Sequence, residues 1–371
     1  MENRMVAGSR IRAGCFIAWS IAAAIGRTVF GANSSEDVTV YPSYGYREED
    51  TWIVPLRMWV HEDRPSAVSL AVKATTAFEG LTESEALLLR GRIADFVADS
   101  ESREAIVLKF DGDPANEELR VIDVQREPLI SDKNGVIQGT LRLSTTRAAE
   151  ILTAQNSSDG WLSFSVVSEG HSGHGRVRLI ADTGLSIISD IDDTIKITEI
   201  PAGRSVVIRN TFFREFVAVP GMANRFSEQK DAAFHYVSGG PWQLYEPLSE
   251  FLCSPEIGFP EGSWHMKTVT KNLMSGETWK NLGELTTNEN VTYDQKIRQI
   301  SELMTHFPAR KFILVGDSGE RDPDVYREIQ RRYPEQVREI WIRDVIDDRN
   351  LRPERLKGMT IIPVEESTPP R

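Results

Sequence analysis

The sequence predicts an α/β protein in which a parallel-sheet domain is preceded by a β-sandwich-like domain. Three observations predict it. After residue 184, apolar runs alternate with helical stretches, the order that builds a parallel sheet. Residues 37–181 instead hold short β-type runs separated by turn residues. The 371-residue length allows two cores, and 40% apolar with 26% charged residues is the composition of an ordinary soluble protein.

Residues 1–32 carry Arg4, Arg10 and Arg12, then an apolar stretch from Ala13 to Gly26, then small residues at Gly31 and Ala32. This order reads as a secretory signal peptide whose apolar core is too short to span a bilayer comfortably. Arg27 leaves two alternatives open, cleavage after Ala24 or retention as an uncleaved membrane anchor. The expected location is secreted or periplasmic. Removing 1–32, with four Arg and one Glu, takes the net charge from −12 to −15. So acidic a chain has no general attraction for nucleic acid or anionic membranes, and any contact with a membrane surface has to be local. Cys15 lies in the leader and Cys253 stands alone, so no intrachain disulfide is expected.

Strands are expected at Trp52–Val60, Ile106–Phe110, Val136–Leu143, Trp161–Val167 and Arg176–Ile180, with Asn134-Gly135 as a hairpin signal. One helix interrupts them, where Thr82 and Glu85 form a capping box ahead of Leu89, Ile93, Phe96 and Val97. Asp111 and Asp113 read as a turn, and Trp52 and Trp59 as core. His171 and His174 (HSGH) have no cysteine or histidine partners nearby and read as a polar hairpin turn.

The second half of the chain is organised around LSIISDIDDTIKI, Leu185 to Ile197. Its apolar start reads as a buried strand, and ligands of open α/β sheets bind beyond the carboxyl ends of such strands. Alternation projects Asp190 and Asp192 the same way and turns Asp193 aside. Two carboxylates so close stay ionised only when a cation or hydrogen bonds offset their repulsion, which makes a metal the natural companion. An EF-hand is excluded, because its glycine and glutamate positions hold Ile195 and Pro201. Further strands are expected at Phe234–Val237, Ser263–Val269, Phe312–Val315 and Glu339–Ile342. The first of these runs into Ser238-Gly239-Gly240, a turn able to hold an anion. The third runs into Gly316-Asp317 and on to Asp322, which before Pro323 also reads as a helix N-cap. A helix from Asn290 to His306 brings Lys296 towards the strand ends.

In order, these segments resemble the four signatures of haloacid dehalogenase (HAD)-type phosphatases: Asp190-Ile-Asp192-Asp-Thr194, Ser238, Lys296, and Gly316-Asp317 to Asp322. SDIDDTIK, HYVSGGPWQLY and KFILVGDSGERDPDVY resemble more closely the Mg-dependent phosphatidate phosphatases of the fungal actin-patch type and their bacterial relatives. That likeness covers Leu185 to Pro363. It implies a HAD-like Rossmannoid domain over 185–366, after a β-sandwich-like domain over 37–181. It also implies roles. Asp190 would be the nucleophile and Asp192 the general acid and base. Ser238, Gly239 and Lys296 would bind phosphate, and Thr194 would orient the first loop. Mg²⁺ would be held by Asp190, Asp192 through its carbonyl, Asp317 and Asp322. Lys267 and Lys271 are alternatives for the third signature.

Substrate choice in such folds comes from insertions. Between Thr198 and Lys230, Phe212, Phe213, Phe216, Val217, Val219 and Met222 form either a lipid-facing flap or the core of a small helical excursion. Arg204, Arg209 and Arg214 either meet an anionic head group or are solvated. The expected activity is hydrolysis of phosphatidate to diacylglycerol and phosphate through an aspartyl-phosphate. One alternative is a soluble phosphomonoester or phosphoprotein substrate. The other is a non-catalytic surface-binding module that works through the β domain.

Overall fold

The computed structural model describes residues 36–269 and 289–364. The leader, Cys15, Lys271 and the end of the chain lie outside the described residues. The described residues fall in a single compact unit. It is a mixed α/β structure with two separate sheets, and among these residues no helix is long and apolar enough to cross a membrane.

The second sheet is entirely parallel and has six strands. Its spatial order is Ser263–Lys267, Ala233–Pro241, Leu185–Ser189, Lys311–Asp317, Val337–Arg343, Thr360–Ile362. Leu185–Ser189 is central and apolar because helices cover both faces; Ile187 and Ile188 are wholly buried. From this strand the chain builds two strands outward on one side, then crosses to Lys311–Asp317 on the other. The crevice at that reversal is where open sheets bind ligands.

In the first half, the 12-residue strand Thr51–Glu62 pairs antiparallel with Glu36–Val40, Ser43–Glu48 and Val136–Ser144. Ser43–Glu48 also pairs parallel with His174–Leu179, which continues through Trp161–Val166 to Leu108–Phe110. The apolar faces of both ladders meet in one core, built from Val54, Leu56, Met58, Leu141, Phe164 and Val177 among others. Trp59 is buried and Trp52 packs against this core. Asp113 folds its turn by accepting from the N–H groups of Ala115 and Glu117.

The helical insert is larger than the single helix expected. Glu83–Val97 has the anticipated capping box, with Thr82 and Glu85 bonded reciprocally, but Pro65–Glu79 precedes it and Thr145–Ala154 is a third helix. Glu83–Val97 braces the segment that follows the first parallel strand. Its buried Arg92 donates to the carbonyls of Thr211 (2.8 Å) and Arg214 and stacks over Phe216, 3.7 Å from the ring centre. Phe96 meets Phe212 edge to face. Arg92→Ala strands two carbonyls and should cost about 2–3 kcal/mol in urea unfolding. Arg92→Lys should recover little of it, since the stacked planar fork is lost; full recovery would deny the guanidinium this role.

Candidate active site

Asp190 follows the central strand directly and is anchored by its N–H to Val315 O on the neighbouring strand, at 2.9 Å. Its carboxylate is 1% exposed. Lys296, equally buried on helix Glu289–His306, donates to Asp190 Oδ1 at 2.8 Å and to Asp322 Oδ1 at 2.6 Å. Glu320 lies 3.5 Å from the same ammonium. Asp317 closes the group from the end of strand Lys311–Asp317. Its Oδ1 accepts from the N–H groups of Gly319 (2.6 Å) and Glu320 (3.2 Å), while its Oδ2 is buried with no hydrogen-bond partner.

Burial pushes the Asp190 and Asp317 carboxyls well above the usual range, with neighbouring acids adding to it; for Asp190 the Lys296 charge opposes the rise. Burial pushes Glu320 up to about 7 against the same ammonium. Lys296 is itself costly to bury, but Asp190, Asp322 and Glu320 hold its pKa well above the usual lysine value.

Asp322 is the first residue of helix Asp322–Arg332; the cap position belongs to Arg321, whose side chain does not cap the helix. The alternative N-cap reading therefore gives way to the bond with Lys296. Gly316 makes room for it. A Cβ there would stand 2.4 Å from Asp322 Oδ2 and 2.7 Å from Asp322 Cβ. Gly316→Ala should push Asp322 off Lys296, costing about 1–3 kcal/mol of stability together with any metal-dependent activity. A variant with wild-type unfolding midpoint and turnover would show that this close approach is unimportant.

The first loop is more elaborate than its sequence implied. Thr194 is buried and donates to Asp190 Oδ2 at 3.2 Å. Asp193 does turn aside: at φ 53° its carboxylate gathers the N–H groups of Thr198, Glu199 and Ile200 at 2.6–2.8 Å. Arg343 also reaches its carbonyl, at 2.7 Å. Asp192 Oδ1 accepts from Lys196 at 2.8 Å and from Thr198 Oγ1 at 2.5 Å. Burial would raise Asp192, but Lys196 and Thr198 outweigh it and hold the carboxyl below its usual value. Lys196, Glu320 and Arg343 are contributors to which the signatures gave no role; the run of charge and hydroxyl after Asp192 was a signal for Lys196 alone.

Ser238 and Gly239 lie inside strand Ala233–Pro241, which runs on past the expected turn through a bulge. The Ser238 hydroxyl accepts from Gly240 N–H at 2.9 Å, leaving its proton to donate, and its carbonyl accepts from Gln295. Gly239 is packed against Thr292 and admits no Cβ without a shift. Lys296 is the lysine that bonds Asp190 and Asp322 directly; Lys267 ends strand Ser263–Lys267, lines a groove with Trp264 and Gln299, and feels the charge of Glu320.

A small cavity beside Asp192, Lys196 and Gly240 has an apolar wall of Ile200, Val207, Phe216, Leu244 and Leu248. Of the candidate flap residues, Phe212, Phe213, Val219 and Met222 are buried and Phe216 is half-buried, so the helical-excursion alternative describes them; Val217 alone is exposed, at 53%. Arg204, Arg209 and Arg214 are all exposed.

Ligand atoms of Asp190, Asp317 and Asp322 lie within 4.8 Å of one another. With Asp192 and Glu320, five carboxylates face two lysines, and Asp317 Oδ2 is unpartnered. The all-oxygen set suits a hard divalent cation.

Residues 185–344 match the family model described as the catalytic domain of phosphatidate phosphatase APP1. The Saccharomyces cerevisiae phosphatidate phosphatase APP1 is 33% identical over 169 residues, 44% of this chain and 26% of that protein. An uncharacterized protein of Schizosaccharomyces pombe is 30% identical over 178 residues, 46% of this chain and 27% of its own length. The chain thus spans about a quarter of the curated relatives it matches. A carbohydrate esterase structure covers 82% of this chain at 13% identity, but its TM-score of 0.21 carries no weight.

Proposed function

We propose that this chain, whose residues 185–344 match the model of the phosphatidate phosphatase APP1 catalytic domain, hydrolyses phosphatidate to diacylglycerol and phosphate. The proposal includes a HAD-like core over 185–366, a β-sandwich-like domain over 37–181, and export directed by residues 1–32. The observation that carries it is the buried Asp190 at the sheet's reversal point, held between Lys296 and Thr194 and clustered with Asp322 and Asp317, whose Oδ2 is unpartnered.

In the first step Asp190 attacks phosphorus through a carboxylate oxygen, a P–O bond forms to the enzyme, and the bond to the glycerol oxygen breaks. Asp192 gives that oxygen its proton. Lys196 and Thr198 favour the ionised form of Asp192, and the incoming phosphate, a second anion beside it, raises it towards the protonated one. In the second step Asp192, again ionised, takes a proton from the water that attacks the aspartyl-phosphate and frees Asp190. Lys296 and Ser238 bind phosphoryl oxygens. Asp190, Asp317 and Asp322 would hold Mg²⁺, which when bound offsets the repulsion between anionic nucleophile and anionic phosphate. The apolar wall beside Asp192 supports an ester with a lipid tail over a small polar one.

The test compares phosphate release from phosphatidate in mixed micelles and from a water-soluble phosphomonoester, with Mg²⁺ and with EDTA. Mg²⁺-dependent release that favours the micellar substrate is expected. Release from the soluble ester alone would replace the substrate; silence on both would leave the β domain as the working part.

A further inference from the structure

A second cluster of potential ligands lies far along the chain from the phosphatase signatures, in the β half. Glu36 opens strand Glu36–Val40, and the parallel register sets it beside His171. Glu104 arrives from the loop before strand Leu108–Phe110. His171 Nε2 stands 3.2 Å from Glu36 Oε2 and 3.4 Å from Glu104 Oε2, and one ligand atom from each residue fits within 4.8 Å of the others.

The histidine side chain is 9% exposed, yet neither ring nitrogen has a hydrogen-bond partner, and neither does the buried Glu36 Oε2. Buried polar atoms are rarely left so. Nε2 is near both carboxylates without being aligned to either, as it would be in a charge-assisted hydrogen bond. The distances have another meaning. Ligands about 2.0–2.1 Å from a tetrahedral Zn²⁺ stand roughly 3.3–3.4 Å apart, which is the spacing seen. One imidazole with two carboxylates suits zinc-class cations better than Ca²⁺ or Mg²⁺, which prefer oxygen alone.

The backbone fixes all three residues. Glu36 N–H donates to Gly170 O at 2.8 Å, His171 N–H to Ser168 O at 3.3 Å, and Glu104 N–H to Ser131 Oγ at 2.9 Å. Among the described residues neither glutamate forms an ion pair with a lysine or arginine. Glu101 and Glu62 crowd the same corner, and burial together with Glu36, Glu62 and Glu104 raises the Glu101 carboxyl. Negative charge is concentrated around an imidazole that faces it unbonded.

We infer that Glu36, Glu104 and His171 form a zinc-class divalent cation site, distinct from the acidic cluster at Asp190, that fastens the first strand of the β half to its neighbouring turn and loop. Zn²⁺ is the probe. The full chain is stripped with chelator and dialysed against a slight excess of Zn²⁺, with Mg²⁺ in large excess to occupy the acidic cluster.

One zinc per chain is expected in wild type and in Asp317→Asn. His171→Ala and Glu104→Gln should bind it more weakly by more than the roughly 10–100-fold that loss of an outer-shell partner costs, while keeping wild-type phosphate release. Co²⁺ in place of Zn²⁺ should give the visible absorption of a tetrahedral site in wild type and lose it in His171→Ala. If His171→Ala fails to fold, the near-isosteric Glu104→Gln carries the comparison. Wild type without zinc, zinc held equally by both variants, or zinc lost only in Asp317→Asn would each overturn the assignment and leave a plain histidine–carboxylate contact.

Discussion

Asp190→Asn should reduce phosphate release by roughly four orders of magnitude or more, the scale seen when a nucleophile is removed, with little change in stability. The amide keeps the volume of the carboxylate, and its two ends match the two contacts at this position. The amide oxygen can accept from Lys296, and the amide nitrogen can donate to Thr194 Oγ1, which now donates to Asp190. What disappears is the charge and the nucleophilic oxygen. Acid-quenched wild type should carry labelled phosphate from substrate as an acyl phosphate, cleavable by hydroxylamine, and the variant none. Turnover within tenfold of wild type would rule out Asp190 as the attacking group.

Lys296→Met should lose both stability and activity. The ammonium bonds two carboxylates that are each about 1% exposed and lies near a third. Removing one partner of a buried ion pair leaves uncompensated charge, at a typical cost of 3–5 kcal/mol. Urea unfolding in EDTA isolates that cost from any contribution of a bound cation. Adding Asp322→Asn should return part of the loss, because one stranded carboxylate is removed; a positive coupling of about 1 kcal/mol or more is expected. If Lys296→Met unfolds within 0.5 kcal/mol of wild type, as an ordinary surface change would, the network is not what holds these acids together.

Much of this architecture was legible because a strand buried on both faces leaves a nearly unbroken apolar run. Leu185–Ser189 is the apolar start of the segment read as a buried strand, and the other parallel strands expected differ only at their ends. Chemistry at a strand end was legible for the same reason, since the run of Ile187 and Ile188 stops at Asp190.

What escaped depends on contacts between distant segments. Helix Pro65–Glu79 carries Pro at its start and Gly80 in the left-handed region at its end, but Val68, Val72, Thr75 and Thr76 weaken its helical signature. Asp322 read both as a cap before Pro323 and as part of the acidic loop, and the direct bond from Lys296 that decides between them joins two helices remote in sequence. The aromatic residues near Phe212 left a lipid-facing flap and a buried excursion both open because nothing nearby in sequence covers them; Phe96, more than a hundred residues earlier, does. Likewise HSGH lacked local histidine or cysteine partners, and the groups facing His171 are glutamates from two remote segments.

The pairing of Leu185–Ser189 with both Ala233–Pro241 and Lys311–Asp317 also governs when the acidic cluster can exist. Residue 185 lies beside residue 311, so a long loop must close before Asp190 meets Asp317, Asp322 and Lys296. Such non-local pairing is the slow part of folding. The mutual repulsion of these carboxylates is therefore absent from the early, locally structured chain and enters only with the final docking of Lys311–Asp317. Neutralising Asp317, whose Oδ2 has no partner, should speed that late step or slow unfolding while leaving the formation of the β half untouched.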